Sequence, residues 1–149
     1  MNGWLLDTNV ISEVSSARPA PKVMKWIGAQ PENKLFLSIL VIAEYEKGIH
    51  NLPPGDGSRP RLQRAVIALE SRFSGRIFPV SDAVVLRWGA ISGEVKRLTG
   101  HSPSVVGTLM AATALEHGLY LATRNVAHVA HSGAMVFNPW RDDPAQFPL

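Results

Sequence analysis

The stretch Trp4-Leu5-Leu6-Asp7-Thr8-Asn9-Val10-Ile11-Ser12-Glu13 decides how the rest of the chain is read. Its leading apolar residues read as a short buried strand that ends at Asp7. Asp7 can also cap a helix starting at Thr8 or Asn9, because a carboxylate accepts from the orphan N–H groups of a first turn. The same grammar recurs downstream. Leu35-Phe36-Leu37 is a second strand, with Ser38 capping a helix that runs through Glu44 to about His50. Ile77-Phe78-Pro79 is a third, weaker strand, Tyr120-Leu121-Ala122 a fourth ending at Thr123, and Met135-Val136-Phe137 a fifth before Asn138-Pro139-Trp140.

Helical periods fill the intervals. Val23, Trp26, Ile27 and Gln30 mark a short amphipathic helix, and Leu62, Val66, Leu69 and Phe73 follow at spacings of four, three and four. Val84, Trp88, Ile91, Val95 and Leu98 mark the clearest helix, capped by Ser81 or Asp82. Gly89 and Gly93 share one stripe of it, where another helix could approach closely. Ser104 to His117 is a further helix, closed by Gly118. Strand alternating with helix predicts an α/β fold, with a parallel sheet of about five strands and helices on both faces. Trp26, Trp88 and Trp140 read as core.

A chain of 149 residues is the size of one domain. The expected layout is a single domain over 1–149 with its core at 4–140, a Pro- and Gly-rich surface loop at 51–60, and a C-terminal tail at 141–149. With no cysteine, a disulfide scaffold, a thiolate zinc site and a cysteine nucleophile are excluded. A reducing cytoplasm is the expected compartment. The N-terminus lacks the basic and apolar regions of a signal peptide. The longest apolar stretch, Leu35 to Tyr45, is broken by Ser38 and Glu44, whereas a membrane-spanning helix needs about 20 apolar residues. The net charge of +3 is compatible with a nucleic acid or an acidic partner and demands neither.

Parallel α/β sheets place their chemistry at the carboxyl ends of strands. Asp7, Ser38 and Thr123-Arg124-Asn125 stand at such ends, and Glu44 lies near the second turn of the helix leaving strand two. A polar cluster of this kind suits a hard cation held through oxygen, such as Mg2+. Each residue also has a plain structural reading. Asp7 can be only a cap, Glu44 a solvated helix glutamate like Glu46, and Asn125 a turn residue. His128 and His131, three apart with no thiol or nearby acid, make a poor zinc site and read as loop residues. Arg59, Arg61, Arg64, Arg72 and Arg76 read as a solvated helix face, with a phosphate-tracking surface as the sharper alternative. No phosphate-cradling glycine loop or nucleophile elbow is present. Without an Asp at position 9, the Asp-x-Asp phosphatase pattern is absent.

Several segments, in order, carry a resemblance. Leu5 to Glu13, then Leu37-Ser38-Ile39 with Ile42-Ala43-Glu44 and Gly48-Ile49, resemble the first two motifs of PIN-domain ribonucleases. Within that family they are closest to the toxins of bacterial VapBC/FitAB-type toxin–antitoxin pairs. Phe73-Ser74-Gly75-Arg76-Ile77, Ala111-Ala112-Thr113-Ala114, His117-Gly118-Leu119, Ala122-Thr123-Arg124-Asn125-Val126 and Phe137-Asn138-Pro139-Trp140 continue the likeness from residue 4 to residue 140.

This resemblance implies a three-layer α/β/α fold and a Mg2+- or Mn2+-dependent endoribonuclease, with metal-activated water attacking an RNA phosphodiester. It places catalytic roles on Asp7, Glu44 and Asn125, with Asp7 and Glu44 as metal ligands and Asn125 as a water-holding pocket wall. Thr8, Ser38, Thr123 and Arg124 are possible substrate contacts. A further metal-ligating Asp of the family falls on Gly107, which has no side chain to ligate with. Three explanations compete: an inactivating substitution, a naturally degenerate nuclease, or a shifted ligand with Thr108 and Ser104 nearby. Inactivation, engineered or acquired, is the preferred one. The implied partners are a cognate antitoxin, RNA substrate, a second copy in a homodimer, a toxin–antitoxin hetero-oligomer, and operator DNA reached only through the antitoxin. The alternative function is a catalytically degenerate PIN-fold module that binds the antitoxin and serves autoregulation.

Overall fold

The computed structural model describes all residues from Met1 to Leu149. Strands β1 (Trp4–Leu6), β2 (Leu35–Ser38), β3 (Ile77–Phe78), β4 (Tyr120–Ala122) and β5 (Val136–Phe137) form one sheet in the order β3-β2-β1-β4-β5. Every neighbouring pair is parallel. Trp4 pairs with both Leu35 and Tyr120, so β1 is central. Its three side chains are buried, as expected for a parallel strand covered on both faces.

Six helices flank the sheet: α1 (Thr8–Val14), α2 (Pro21–Gly28), α3 (Ile39–Asn51), α4 (Ser58–Arg72), α5 (Asp82–Thr99) and α6 (Val105–His117). The chain steps outward from β1 to β2 to β3, then returns through α5 and α6 to β4 on the other side of β1. Right-handed crossovers in opposite directions put α1–α4 on one face and α5–α6 on the other. The reversal leaves a crevice between the carboxyl ends of β1 and β4, where such sheets bind ligands.

Local chemistry sets the helix starts. Asp7, Ser38, Ser81 and Ser104 each accept from a first-turn N–H of the helix that follows. Gly118 ends α6 at φ 63°, a left-handed conformation that a side chain disfavours. The core joins the sheet to an aromatic cluster. Trp4 packs edge-on against Trp26 at 5.1 Å and near Tyr120 and Phe137, while its indole N–H donates to Gln30 Oε1 at 2.9 Å.

Several expected boundaries shift. Residues 51–60 are not all loop: α3 continues to Asn51 and α4 begins at Ser58. Pro60 is tolerated there because a first-turn residue needs no intrahelical N–H donor. The segment 141–149 is docked, since Phe147 packs on Tyr120 and Phe137 and the Tyr120 hydroxyl donates to Pro148 O at 2.8 Å. Met135 lies outside β5 and is exposed. Trp88 is only half-buried, and Leu98 is exposed. A Cβ at Gly89 or Gly93 would meet nothing within 4 Å, so no helix of this chain packs on that stripe. No helix is long and apolar enough to cross a membrane.

Candidate active site

The crevice between β1 and β4 opens into a cleft of about 520 Å³. Asp7, Thr8, Glu44, Gly107, Thr123, Arg124 and Asn125 all border it. They come from α1, α3, α6 and the turn after β4, and only the sheet order brings them together.

Asp7 is held on three sides. Thr8 N donates to its Oδ1 at 2.7 Å, and Asn9 Nδ2 and Thr123 Oγ1 donate to its Oδ2 at 3.2 and 2.7 Å. Thr123 Oγ1 in turn accepts from Asn9 Nδ2 at 3.2 Å and Asn125 N at 3.0 Å. Asn9 Oδ1 accepts from Arg124 N at 3.2 Å. The network ties the end of β1 to the end of β4. By lone-pair count Oδ2 is fully used, and Oδ1 keeps one acceptor site for water or a cation.

Glu44 reaches the same cleft from α3. Burial, and then the Asp7 charge beside it, raise its pKa above the ordinary carboxylate value, against the pull of the Thr8 hydroxyl and Lys47. Thr8 Oγ1 itself is buried without a partner in hydrogen-bond geometry. Asp7, Glu13 and Glu44 border this pocket, and Arg124 is the one lysine or arginine that does. That arrangement favours a cationic occupant.

Gly107 stands in the first turns of α6, its N–H donating to the capping Ser104 Oγ at 3.2 Å. A Cβ there would lie 3.2 Å from Ser104 Oγ and 3.6 Å from His128 Cβ, so a side chain fits if the serine hydroxyl yields slightly. Asn125 is exposed beside the cleft, in the turn leading to a 3-10 segment, Val126–Val129. No group of three or more His, Asp or Glu side chains is arranged to hold a metal ion. The available donors are three carboxylates, Asp7, Glu44 and a Glu13 already accepting from Ala20 N, with the neutral side chains around them. They suit a weakly held divalent ion, because Mg2+ is often bound by one or two carboxylates with waters and substrate phosphate completing its shell.

Ser38, expected as a possible substrate contact, does not reach the cleft. It is fully buried, and its hydroxyl accepts from Leu40 N at 3.1 Å. The strand-to-helix junction takes that hydroxyl as a cap, which closes it to substrate. The arginine set divides as well. Arg59 is spent on Leu52 O, while Arg72 and Arg76 clamp Glu32, leaving Arg61 and Arg64 on the solvated face of α4.

Other residues join the site that the strand-end rule did not select. Asn9 bridges Asp7 and Thr123, a role its place two residues after the strand-end acid could have suggested. Trp140, expected in the core, is half-buried at the cleft with the Arg124 guanidinium 5.1 Å from its ring centre. His128, expected on a surface loop, is exposed and also lines the cleft.

Fold and site together define a PIN-type α/β domain with an acidic cleft at its topological switch point. The family model described as PIN domain matches residues 4–130, and the chain belongs to this family. Toxin FitB of Neisseria gonorrhoeae is 33% identical over 93% of this chain and 99% of its own length. VapC ribonuclease Y4jK of Sinorhizobium fredii is 32% identical over 91% of this chain and 96% of its own. Among solved structures, FitAB bound to an IR36 DNA fragment superposes with a TM-score of 0.80 at 29% identity, covering 94% of this chain and 97% of that one.

Proposed function

We propose that this chain is the ribonuclease toxin of a toxin–antitoxin pair, acting with Mg2+ or Mn2+ and weakened at its metal site. The carrying observation is the meeting of Asp7 and Glu44, 37 positions apart, in one cleft at the β1/β4 crevice. The likeness to FitB and to a VapC ribonuclease supports the same reading.

Asp7, fixed by Thr8 N, Asn9 and Thr123, offers a preset carboxylate that need not reorganise when substrate arrives. Glu44 borders the same cleft as Asp7, so the two acids can orient an attacking water between them. Arg124, exposed at the rim, supplies a cation for a substrate phosphate. Asn125 can hold water through its amide at the pocket wall. A divalent ion held by Asp7 and Glu44 would supply charge neutralisation at the phosphoryl oxygens and a more acidic water. With Gly107 contributing no carboxylate, that ion is held by fewer charges than three acids would provide.

The proposed partners are an antitoxin covering the cleft, a second copy of this chain, and operator DNA reached through the antitoxin. The acids bordering the cleft, Asp7, Glu13 and Glu44, outnumber its one bordering arginine, Arg124, which suits a basic side chain from the antitoxin. A second reading, a degenerate module that keeps antitoxin binding but not catalysis, is favoured by the bare Gly107 and the uncharged Asn125 at the same cleft.

One assay separates them: RNA cleavage with Mn2+ by this chain and by Gly107→Asp. Activity in the aspartate form alone supports the weakened toxin, and none in either form supports the binding module. Equal activity removes the vacant position as the cause of weakness. Asp7→Ala in the active form must then abolish cleavage if the site is assigned correctly.

A further inference from the structure

We propose that a second cavity, bordered by His101, His128 and His131, is a nucleobase subsite for a single-stranded RNA leaving the acidic cleft. The proposal rests on the ribonuclease reading above and names the substrate form which that site takes. The cavity measures about 270 Å³ and lies where the end of α5, the start of α6 and the Val126–Val129 turn meet. It shares Ser104, His128 and Val129 with the acidic cleft, so one strand can occupy both without leaving the surface.

Its chemistry is opposite to that of its neighbour. Asp7, Glu13 and Glu44 border the acidic cleft, whereas no Asp or Glu borders the second cavity. Ile91 and Val95 give it apolar wall, and three imidazoles supply flat rings. None of these three histidines is engaged in an ion pair; the histidine that is, His50, lies on α3 with Glu46. Planar rings beside aliphatic side chains, without carboxylate repulsion, suit the face of a base and tolerate the phosphate attached to it. The volume lies below the roughly 300–1,000 Å³ of pockets for larger ligands, which fits one ring system.

A base can enter only if it is unstacked and unpaired. RNA recognition by stacking on aromatic and histidine side chains is confined to loops, bulges and ends for that reason. With a phosphate at Arg124 beside the acidic cleft, a neighbouring base in the histidine cavity would select single-stranded over duplex RNA.

The test uses Asp7→Asn, which keeps a helix-capping side chain while disabling the acid. Binding of a fluorescein-labelled single-stranded RNA is followed by anisotropy in this background, with and without His101→Ala/His131→Ala. The expected loss is about 5- to 150-fold in Kd, the range for removing a stacking contact. His101→Phe/His131→Phe should recover most of it. In a series of RNAs each lacking one base, one position should weaken binding in Asp7→Asn but have no effect once both histidines are alanine. Unchanged affinity in the double alanine variant, with no such position, overturns the subsite and leaves the ribonuclease reading standing. Absence of RNA binding in every form overturns both.

Discussion

Thr123 Oγ1 donates a 2.7 Å hydrogen bond to Asp7 Oδ2, joining the ends of β4 and β1 across 116 positions of sequence. The same hydroxyl accepts from Asn9 and from the Asn125 backbone, so one atom orders both walls of the crevice. The acid at the switch point is therefore oriented by the folded chain itself.

Replacing Thr123 with Val keeps the side chain's shape but removes that donor and acceptor. A hydrogen bond to a charged group contributes about 1.5–3 kcal/mol, and urea denaturation should show a loss in that range. Thr123→Ser should retain most of the stability. A valine variant as stable as the parent would show that the bond contributes nothing net.

Gly107→Asp should fold, since the only tight contact of the new Cβ is the rotatable Ser104 hydroxyl. A third carboxylate raises repulsion without metal and strengthens binding with it. Millimolar Mn2+ should therefore raise Tm more for Gly107→Asp than for the parent chain, by the linkage between ligand binding and stability. If the added acid restores about 3–5 kcal/mol of transition-state stabilisation, RNA cleavage rises on the order of 100- to 5,000-fold. Equal Mn2+-induced shifts in Tm would argue against a metal position at residue 107.

Gly89 and Gly93 lie inside α5 with nothing within 4 Å of an added Cβ. Each change to alanine should stabilise the protein by about 0.5–1 kcal/mol, because glycine loses more backbone entropy on entering a helix. Differential scanning calorimetry reads this directly. A fall in Tm that deepens with protein concentration would instead mean that a second copy packs on the stripe.

Glu32, just before β2, binds Arg72 at the end of α4 at 2.9 Å and Arg76 just before β3 at 3.1 Å. The Arg72 hydrogen bond chiefly, then Arg76, lower its pKa against the opposing cost of burial. A carboxylate depressed on folding stabilises above its unfolded pKa, and the contribution is lost as pH falls through the lower folded value. Because Glu32 is 51% exposed, solvent screening limits the effect to below about 1 kcal/mol. Glu32→Gln should lower Tm slightly at pH 7 and leave it unchanged well below pH 4.5. A difference that persists undiminished in strong acid would point away from charge as the source.

The strands were legible because apolar runs too short for helices recur between capped helical periods. Trp4–Leu6 and Tyr120–Ala122 are found within the limits expected for them. The 51–60 loop was overestimated because glycine and proline mark turns and first helical turns alike. Trp140 was misplaced because large aromatics usually bury, and composition does not show that an arginine covers this one at a cleft. Asp7 stood out by position at a strand end, whereas Glu44 and Glu46 are two residues apart on one helix and equally acceptable by spacing. Burial and the field of Asp7 single out Glu44, and neither quantity exists before the chain folds.

The sequence by itself determined the α/β class, the helix cap at Ser38 and the absence of thiol chemistry, and it narrowed the cap of α5 to Ser81 or Asp82. These follow from side-chain type and spacing over a few residues, where local physics is sufficient. The tertiary structure alone decided that Ser38 is sealed, that Asn9 and Thr123 orient Asp7, and that His128 joins two cavities. Those facts depend on the strand order β3-β2-β1-β4-β5, which brings residues more than 100 positions apart into hydrogen-bonding distance. Such proximity comes from crossover direction and sheet register, and no local pattern of residues encodes it.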